Sequence, residues 1–334
     1  MQNITKRAGR FTWHQTKLRV KDYKKTIKFY EDHFQMSLIN KYDFPDDRMS
    51  LFYMASILPE NKKNLPEPGS KEASDFLWNY KGTLLNFTYN YGTDKDPDFS
   101  YHTGNSQIDD KTKDGFGHIA FHVDDVYKFC ENLQKAGVEF QKTPDGGKMK
   151  GIAFAKDPDG YWIEIIKRPE NTNLEGQITL GQTMLRIKDP KKSLKFYEDY
   201  MQMTPICIKH HEDFSLYFLA TLPEDGSIKP PQDLTSKEAS DLSKSMEIPV
   251  LELTHNHGTE KMEDFKYLNG NTHERIGFGH IGYLVDDVNK ACDLLEKEGI
   301  EFYKKPNEGK IKGLGFAKDP DGYYIEIVTR GQSI

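Results

Sequence analysis

The sequence has few cysteines and no long apolar segment. Only 3 of its 334 residues are cysteine, at Cys130, Cys207 and Cys292. That number is too small for a disulfide framework and is typical of reduced thiols in the cytosol. No stretch is apolar over the length that spans a bilayer, and the first residues do not resemble a secretion signal. We therefore predict a cytoplasmic protein that does not associate with membranes.

An excess of basic residues is also missing. Lysine and arginine number 46 against 52 aspartates and glutamates, which gives a net charge of −6. This balance predicts no nucleic-acid partner, because such proteins carry a basic surface that neutralises phosphates. The glycine-rich fingerprints of dinucleotide sites are absent as well, so no nicotinamide cofactor is expected.

What the sequence does contain is an internal duplication. GFGHIAFHVDDV recurs as GFGHIGYLVDDV, and KMKGIAFAKDPDGYWIEII recurs as KIKGLGFAKDPDGYYIEIV. The spacing between the repeated motifs drifts by only a few residues, which indicates a duplicated domain rather than a solenoid. We predict one domain at residues 10–168 and a second at 178–330, with a polar connection between them.

Each copy divides again into two similar units. A strand at 14–20 precedes a helix that begins near Asp22, and a strand at 117–123 precedes a helix that ends at Gly137. Three further strands follow each helix. The chain therefore predicts a βαβββ unit that occurs four times, and the fold class is α+β.

Isolated polar residues stand at matching places in these apolar strands. The first strands carry Gln15, His118, Gln182 and His280, and the last strands carry Asn86, Glu164, Glu252 and Glu326. A single glutamine or histidine on a strand is more often a satisfied polar group than a ligand. A carboxylate between isoleucines, as at Glu164, is costly to bury unless it is paired or binds a metal. Two facing units would supply Gln, Glu, His and Glu, which suits a divalent metal with open positions for substrate oxygens.

The longer motifs carry a resemblance to a known family. QTMLRIKDPKKSLKFYE, LELTHNHGT, GFGHIG and DPDGYWIEI resemble glyoxalase I, the lactoylglutathione lyases of the vicinal oxygen chelate superfamily, over essentially residues 11–330. The tandem form is similar to the monomeric two-domain members. The resemblance implies two glyoxalase-type domains whose units pair into two curved eight-stranded sheets. It also implies a monomer and a bound Zn2+, with Ni2+ or Co2+ as alternatives.

The family's metal ligands carry over residue by residue. If the first unit of each domain faces the second unit of the other, one site is complete and comprises Gln182, Glu252, His118 and Glu164. The resemblance implies that Glu164 is the main catalytic base and that Glu252 acts on the opposite face of the substrate. The second, degraded site comprises Gln15, Asn86, His280 and Glu326. Pairing within each copy would instead combine Gln182 and Glu252 with His280 and Glu326; family analogy favours the crossed arrangement.

The resemblance also implies residues that hold glutathione. At the complete site these are Arg186, Asn256, Lys142 and Lys148, and at the degraded site they are Arg19, Asn90, Lys304 and Lys310. One family cation is missing, because Asp114 stands where an arginine precedes the metal-binding histidine. This exchange places an anion where a glutathione carboxylate is expected.

The implied activity is the isomerisation of the glutathione–methylglyoxal hemithioacetal to S-lactoylglutathione, which detoxifies methylglyoxal. Two alternatives remain open. An extradiol-type dioxygenase or another vicinal oxygen chelate enzyme shares the fold, although an iron site with two histidines and one carboxylate does not fit Gln182. A metal- or thiol-binding protein of the same fold is the other alternative. The loss of a carboxylate at Asn86 predicts one tightly bound metal ion per chain and a weaker second one.

Overall fold

The computed structural model describes residues 9–170, 172–272 and 275–332. It contains four successive βαβββ units, which confirms the predicted α+β class. Unit one contains β1 (Thr12–Val20), α1 (Tyr23–Phe34), β2 (Met36–Phe44), β3 (Met49–Ser56), α2 (Pro59–Lys62), α3 (Lys71–Asn79) and β4 (Leu84–Asn90). Unit two contains β5 (Thr112–Asp114), β6 (Phe116–Val123), α4 (Val126–Lys135), β7 (Phe140–Lys142), β8 (Ala153–Lys156) and β9 (Trp162–Lys167).

The second copy repeats this order. Unit three contains β10 (Thr179–Ile187), α5 (Pro190–Lys195), β11 (Thr204–His210), β12 (Phe214–Ala220), α6 (Lys237–Ser245) and β13 (Val250–Asn256). Unit four contains β14 (Lys266–Leu268), β15 (Phe278–Val285), α7 (Val288–Lys297), β16 (Phe302–Lys304), β17 (Leu314–Lys318) and β18 (Tyr324–Thr329). The short β5 and β14 lie outside the repeated pattern and pair with each other.

The main helix of every unit begins at an aspartate. The side chains of Asp22, Asp125, Asp189 and Asp287 each accept a hydrogen bond from a backbone N–H in the first turn of the helix that follows. An aspartate in this position satisfies a donor that the helix leaves unpaired and is worth about 1 kcal/mol. The repeated Asp signal therefore fixes where each helix starts after its first strand.

The units pair across the two copies. One eight-stranded sheet, here called sheet I, has the order β16-β17-β18-β15-β1-β4-β3-β2 and joins units four and one. The other, sheet II, has the order β11-β12-β13-β10-β6-β9-β8-β7 and joins units three and two. Each sheet is therefore completed by strands from both copies, and the alternative of pairing within a copy is wrong. The predicted domain limits of 10–168 and 178–330 stay a prediction.

One apolar core runs through all four units. It contains Tyr30, Phe87, Phe121 and Ile165 of the first copy together with Ile187, Tyr283 and Ile327 of the second. Two smaller clusters lie on the opposite faces of the sheets, one around Trp78 and one around Phe218. Among the described residues, no helix has the length and apolar composition needed to cross a membrane.

Candidate active site

Four polar side chains meet on the face of sheet II that carries the Phe218 cluster. They are Gln182 on β10, Glu252 on β13, His118 on β6 and Glu164 on β9, and we call this group site A. The four strands are consecutive in the sheet, in the order β13-β10-β6-β9. All four residues are at most 7% exposed. The structure thus brings together the complete set that crossed pairing predicts.

A strand irregularity aims the glutamine into this group. The pairing of β10 with β6 shifts between Leu180 and Gln182, so that Gln182 lies opposite Ala120. A bulge of this kind bends a strand and redirects the next side chain. The same shift occurs in β1 between Trp13 and Gln15. The bulge is a repeated feature of both sites.

The distances within site A are those of a compact ligand set. The amide nitrogen of Gln182 donates to Glu164 Oε2 at 2.8 Å and to Glu252 Oε2 at 2.6 Å. His118 Nε2 lies 3.1 Å from Glu164 Oε2 and 3.6 Å from Glu252 Oε2. The second oxygen of Glu252 accepts a hydrogen bond from Thr254 at 3.2 Å. Thr254 was not singled out in the sequence, although it lies two residues along the same strand face.

This group fits a divalent cation. Despite its closeness to the carboxylates, His118 Nε2 is buried without a hydrogen bond of acceptable geometry. One ligand atom from each of His118, Glu164 and Glu252 lies within 4.8 Å of the others, and no second such cluster occurs in the part of the chain that the structure describes. Two carboxylates, an imidazole and an amide oxygen are ordinary ligands of zinc-like metals. Rotating the Gln182 amide by half a turn would present its oxygen to the same point.

The charges within site A favour a cation. Burial opposes protonation of His118, but the carboxylates of Glu164 and Glu252 outweigh it and raise the pKa of the imidazole to about 9. Two carboxylates beside one imidazole therefore make site A attractive to positive charge.

The matching group in sheet I differs from site A in charge. Gln15, Asn86, His280 and Glu326 come together there and form what we call site B. The amide nitrogen of Gln15 donates to Glu326, and His280 Nε2 lies 3.2 Å from the same carboxylate. Asn86 donates to Gln15 Oε1 at 3.5 Å, while its own oxygen is buried without a partner.

A lysine that the sequence analysis did not select changes site B further. Lys17 on β1 lies directly between Asn86 on β4 and His280 on β15. Burial lowers the pKa of Lys17 to about 8, and Glu326 opposes that shift. Burial also lowers the pKa of His280. The carboxylate of Glu326 opposes this shift, and the ammonium of Lys17 adds to it. The two histidines therefore shift in opposite directions, because site A has two carboxylates while site B has one carboxylate and an ammonium.

The residues expected to hold glutathione lie at one end of site A. Arg186 pairs with Thr254 in the sheet and donates to Asn105 Oδ1 at 2.7 Å and to the Phe116 carbonyl at 3.1 Å. Asn256 is part-buried and donates to the Tyr267 hydroxyl at 2.8 Å. At site B, Arg19 and Asn90 make the matching bonds, to Asn271 at 2.9 Å and to Tyr101 at 2.7 Å.

The loop lysines are placed less uniformly. Lys142 donates to the carbonyls of Met149 and Ile152 and so holds its own loop, whereas Lys148 is exposed. At site B, Lys304 holds the matching loop through the Leu314 carbonyl at 2.7 Å. Lys310, the counterpart of Lys148, lies 3.2 Å from Asp47 of unit one.

Asp114 is not the free anion that the sequence suggested. It is 5% exposed, and its side chain accepts from the Ser106 N–H at 2.8 Å. It also lies 3.4 Å from Arg275 of the other copy and 3.5 Å from His102. Its charge is therefore balanced within the protein, chiefly by Arg275, which lies 161 residues away in the sequence.

Comparison with known proteins agrees with this geometry. The family model of the glyoxalase/bleomycin resistance protein/dioxygenase superfamily matches residues 12–165 and again 179–327. Glyoxalase I of Saccharomyces cerevisiae is 39% identical over 331 residues, covering 95% of this chain and 92% of the relative. The chain belongs to the glyoxalase I family.

Other family members support the same assignment. Lactoylglutathione lyase of Schizosaccharomyces pombe is 38% identical over 322 residues, covering 95% of this chain and 96% of the relative. The crystal structure of glyoxalase I from Zea mays matches with a TM-score of 0.65 at 29% identity, covering 96% of this chain and 92% of that one. The glyoxalase I fold therefore extends over both copies of the repeat.

Proposed function

We propose that site A isomerises the hemithioacetal of glutathione and methylglyoxal to S-lactoylglutathione, as the membership of the glyoxalase I family indicates. One observation carries the location: site A combines two carboxylates, an imidazole and an amide from both copies, whereas site B has lost a carboxylate. Site A is therefore the active centre in this proposal, and site B is the degraded one.

Gln182, Glu252, His118 and Glu164 would hold the metal. We propose Zn2+, with Ni2+ or Co2+ as alternatives that satisfy the same ligands. When bound, a divalent cation supplies a Lewis acid for the vicinal hydroxyl and carbonyl oxygens of the substrate.

The protein's own groups move the proton. The carboxylate of Glu164 accepts the C1 proton of the hemithioacetal and, once protonated, returns it to C2. The proton of the C1 hydroxyl passes to the C2 oxygen, so that C1 becomes the thioester carbonyl and C2 carries the hydroxyl. The oxidation of C1 and the reduction of C2 balance within the substrate, so no external oxidant or reductant is required. Glu252 faces the same ligand cluster from β13 and serves the opposite side of the substrate. Burial of both carboxylates keeps water away, so the transferred proton is not lost to solvent.

Cationic and amide groups hold the peptide part of the substrate. Arg186 and Asn256 each lie four residues beyond a candidate metal ligand, Gln182 on β10 and Glu252 on β13. Lys142 ends β7, and Lys148 lies on the loop between β7 and β8. Arg186 suits a carboxylate because its guanidinium donates paired hydrogen bonds. The pairing of Asp114 with Arg275 removes the repulsion that a free aspartate would exert on a glutathione carboxylate.

The setting of the enzyme follows from the same features. We propose a monomer, because crossed pairing supplies both halves of each site within one chain. We also propose the cytoplasm, where glutathione keeps thiols reduced; Cys130, Cys207 and Cys292 are all unpaired and buried.

The test combines metal content with turnover. The purified chain should contain about one divalent ion and convert the hemithioacetal to a thioester. Removal of the ion by a chelator should abolish conversion, and reloading should restore it. A chain that binds no ion and forms no thioester would contradict the proposal, as would oxygen-dependent cleavage of a catechol.

A further inference from the structure

Lys17 and Met184 occupy the same place in the two sites. The motif HQTKLR of the first copy corresponds to GQTMLR of the second. In sheet II, Met184 lies opposite Glu252 on one side and His118 on the other. In sheet I, Lys17 lies opposite Asn86 and His280. Directly opposed residues on neighbouring strands have Cβ atoms about 5 Å apart, so this position adjoins the ligand cluster.

The difference between Met184 and Lys17 acts together with the difference between Glu252 and Asn86. Site A combines Glu252 with a neutral thioether, whereas site B combines a neutral amide with an ammonium. Each exchange makes site B more positive by one charge. The carboxylate of Glu326, 3.2 Å from His280 Nε2, is the one negative charge that remains among the four residues of site B.

We propose that Lys17 takes the place of the metal ion at site B, so that sheet I is complete without a divalent cation. The inference rests on the proposed metal role of site A. It assigns a function to a side chain outside the ligand set: the ammonium group of Lys17 compensates the charge of Glu326 and repels a second cation. In this account the exchanges at Asn86 and at Lys17 together prevent a divalent cation from binding at site B.

The surroundings of site B support a closed, structural centre. Trp78 stacks with Tyr42 at 6.5 Å between ring centroids and with His14 at 5.6 Å, and its indole N–H donates to the Tyr42 hydroxyl at 2.8 Å. Phe44 and the loop residue Ile311 pack against the same cluster.

Site A is also buried, but it lacks these aromatic rings. The SKEASD repeat aligns Trp78 with Lys244, and the β2 and β11 registers align Tyr42 with Lys209. The loop residue Met149, which corresponds to Ile311, is 44% exposed. Site A thus keeps an accessible loop and polar surroundings, whereas at site B aromatic rings fill the matching space and Lys310 fastens the loop through Asp47.

Transferring the lysine tests the idea without touching a ligand. Metal stoichiometry and affinity would be measured by equilibrium dialysis against Zn2+ for the full chain, Met184→Lys and the matched control Met184→Leu. We expect Met184→Lys to weaken binding at site A at least about 100-fold, because a unit charge within several ångströms of a divalent ion is strongly repulsive at low dielectric. Met184→Leu should still bind one ion with an affinity within about threefold of the parent.

The reverse exchange covers the case in which Met184→Lys does not fold. Asn86→Glu alone should leave one ion per chain, and Lys17→Met combined with Asn86→Glu should give two. Circular dichroism confirms that each measured variant is folded.

The outcomes separate the two proposals. If the unmodified chain binds no ion, the proposed function fails. If it binds one ion, the inference about Lys17 is overturned when Met184→Lys keeps its affinity, when Asn86→Glu alone binds two ions, or when the double variant still binds one.

Discussion

Arg168 fastens the two strands on which site A depends. Its buried guanidinium donates to Asp124 Oδ1 at 2.7 Å, to the carbonyls of Leu174 and Gln177 at 2.9 Å, to the His122 carbonyl at 3.1 Å and to Thr179 Oγ1 at 2.9 Å. His122 lies on β6 and Thr179 on β10, the strands that carry His118 and Gln182. Arg168 therefore joins the end of one copy to the beginning of the next.

Replacing Arg168 by leucine should strongly destabilise the fold. The change leaves buried carbonyls without donors, each at a cost of about 1–3 kcal/mol, although such costs do not add in full. The side chain of Asp124 is 42% exposed, so water can solvate its carboxylate after the exchange, and the unpaired carbonyls dominate the loss. We expect the free energy of unfolding to fall by about 3 kcal/mol.

The second copy provides a matched control. Arg330 donates to Thr12 Oγ1 at 2.9 Å and to the Leu284 carbonyl at 3.4 Å, and its side chain is 29% exposed against 1% for Arg168. Arg330→Leu should therefore cost about 1 kcal/mol. Urea unfolding in the presence of a chelator, followed by circular dichroism, measures both values free of metal binding. Equal losses, or a loss below about 1 kcal/mol for Arg168→Leu, would refute the reasoning.

Three further predictions follow from the site and its surroundings. Arg186→Ala should raise KM for the hemithioacetal about 10-fold or more with a smaller change in kcat, since Arg186 is assigned to binding, whereas Arg19→Ala should leave KM unchanged. His122 has a pKa lowered to about 3 by burial and by Arg168, so its contribution to stability is present above pH 6.5 and is lost as the pH falls below that value. His122→Leu should therefore remove about 2 kcal/mol of the loss in unfolding free energy between pH 8 and pH 5, measured by urea denaturation at both pH values. Sedimentation should show a monomer at low micromolar concentration, because one chain supplies both halves of each site. A stable dimer at that concentration would contradict the proposal that the single chain is the complete assembly.

Much of the fold could be predicted from the sequence because its signals are local. The aspartate before each main helix and the apolar periodicity of the strands are readable one unit at a time. The candidate ligand positions are readable too, because polar residues inside apolar strands recur at matching places. The pairing of the units could not be predicted in this way. Strands of all four units have similar apolar faces, so a unit could pair within its own copy or with a unit of the other copy.

The remaining features depend on contacts between distant parts of the chain. Asp114 and Arg275 meet only because β5 and β14 pair across the two copies, so the sequence showed a misplaced anion instead of an ion pair. The change from Met184 to Lys17 was visible in the repeated motif, but its meaning required the register that places Lys17 between Asn86 and His280. The pattern of residues along one strand does not show which residues of a strand from the other copy lie opposite it.

The most direct test of the account compares two glutamates that occupy equivalent positions. Glu164→Gln and Glu326→Gln would be assayed for S-lactoylglutathione formation at saturating metal and substrate, with folding checked by circular dichroism. If site A is the active centre, Glu164→Gln should lower kcat by about 1,000-fold or more, because it removes both the base and a ligand, while Glu326→Gln should leave most of the activity. If Glu326→Gln silences the enzyme and Glu164→Gln does not, or if both variants stay active, the assignment of catalysis to site A is wrong.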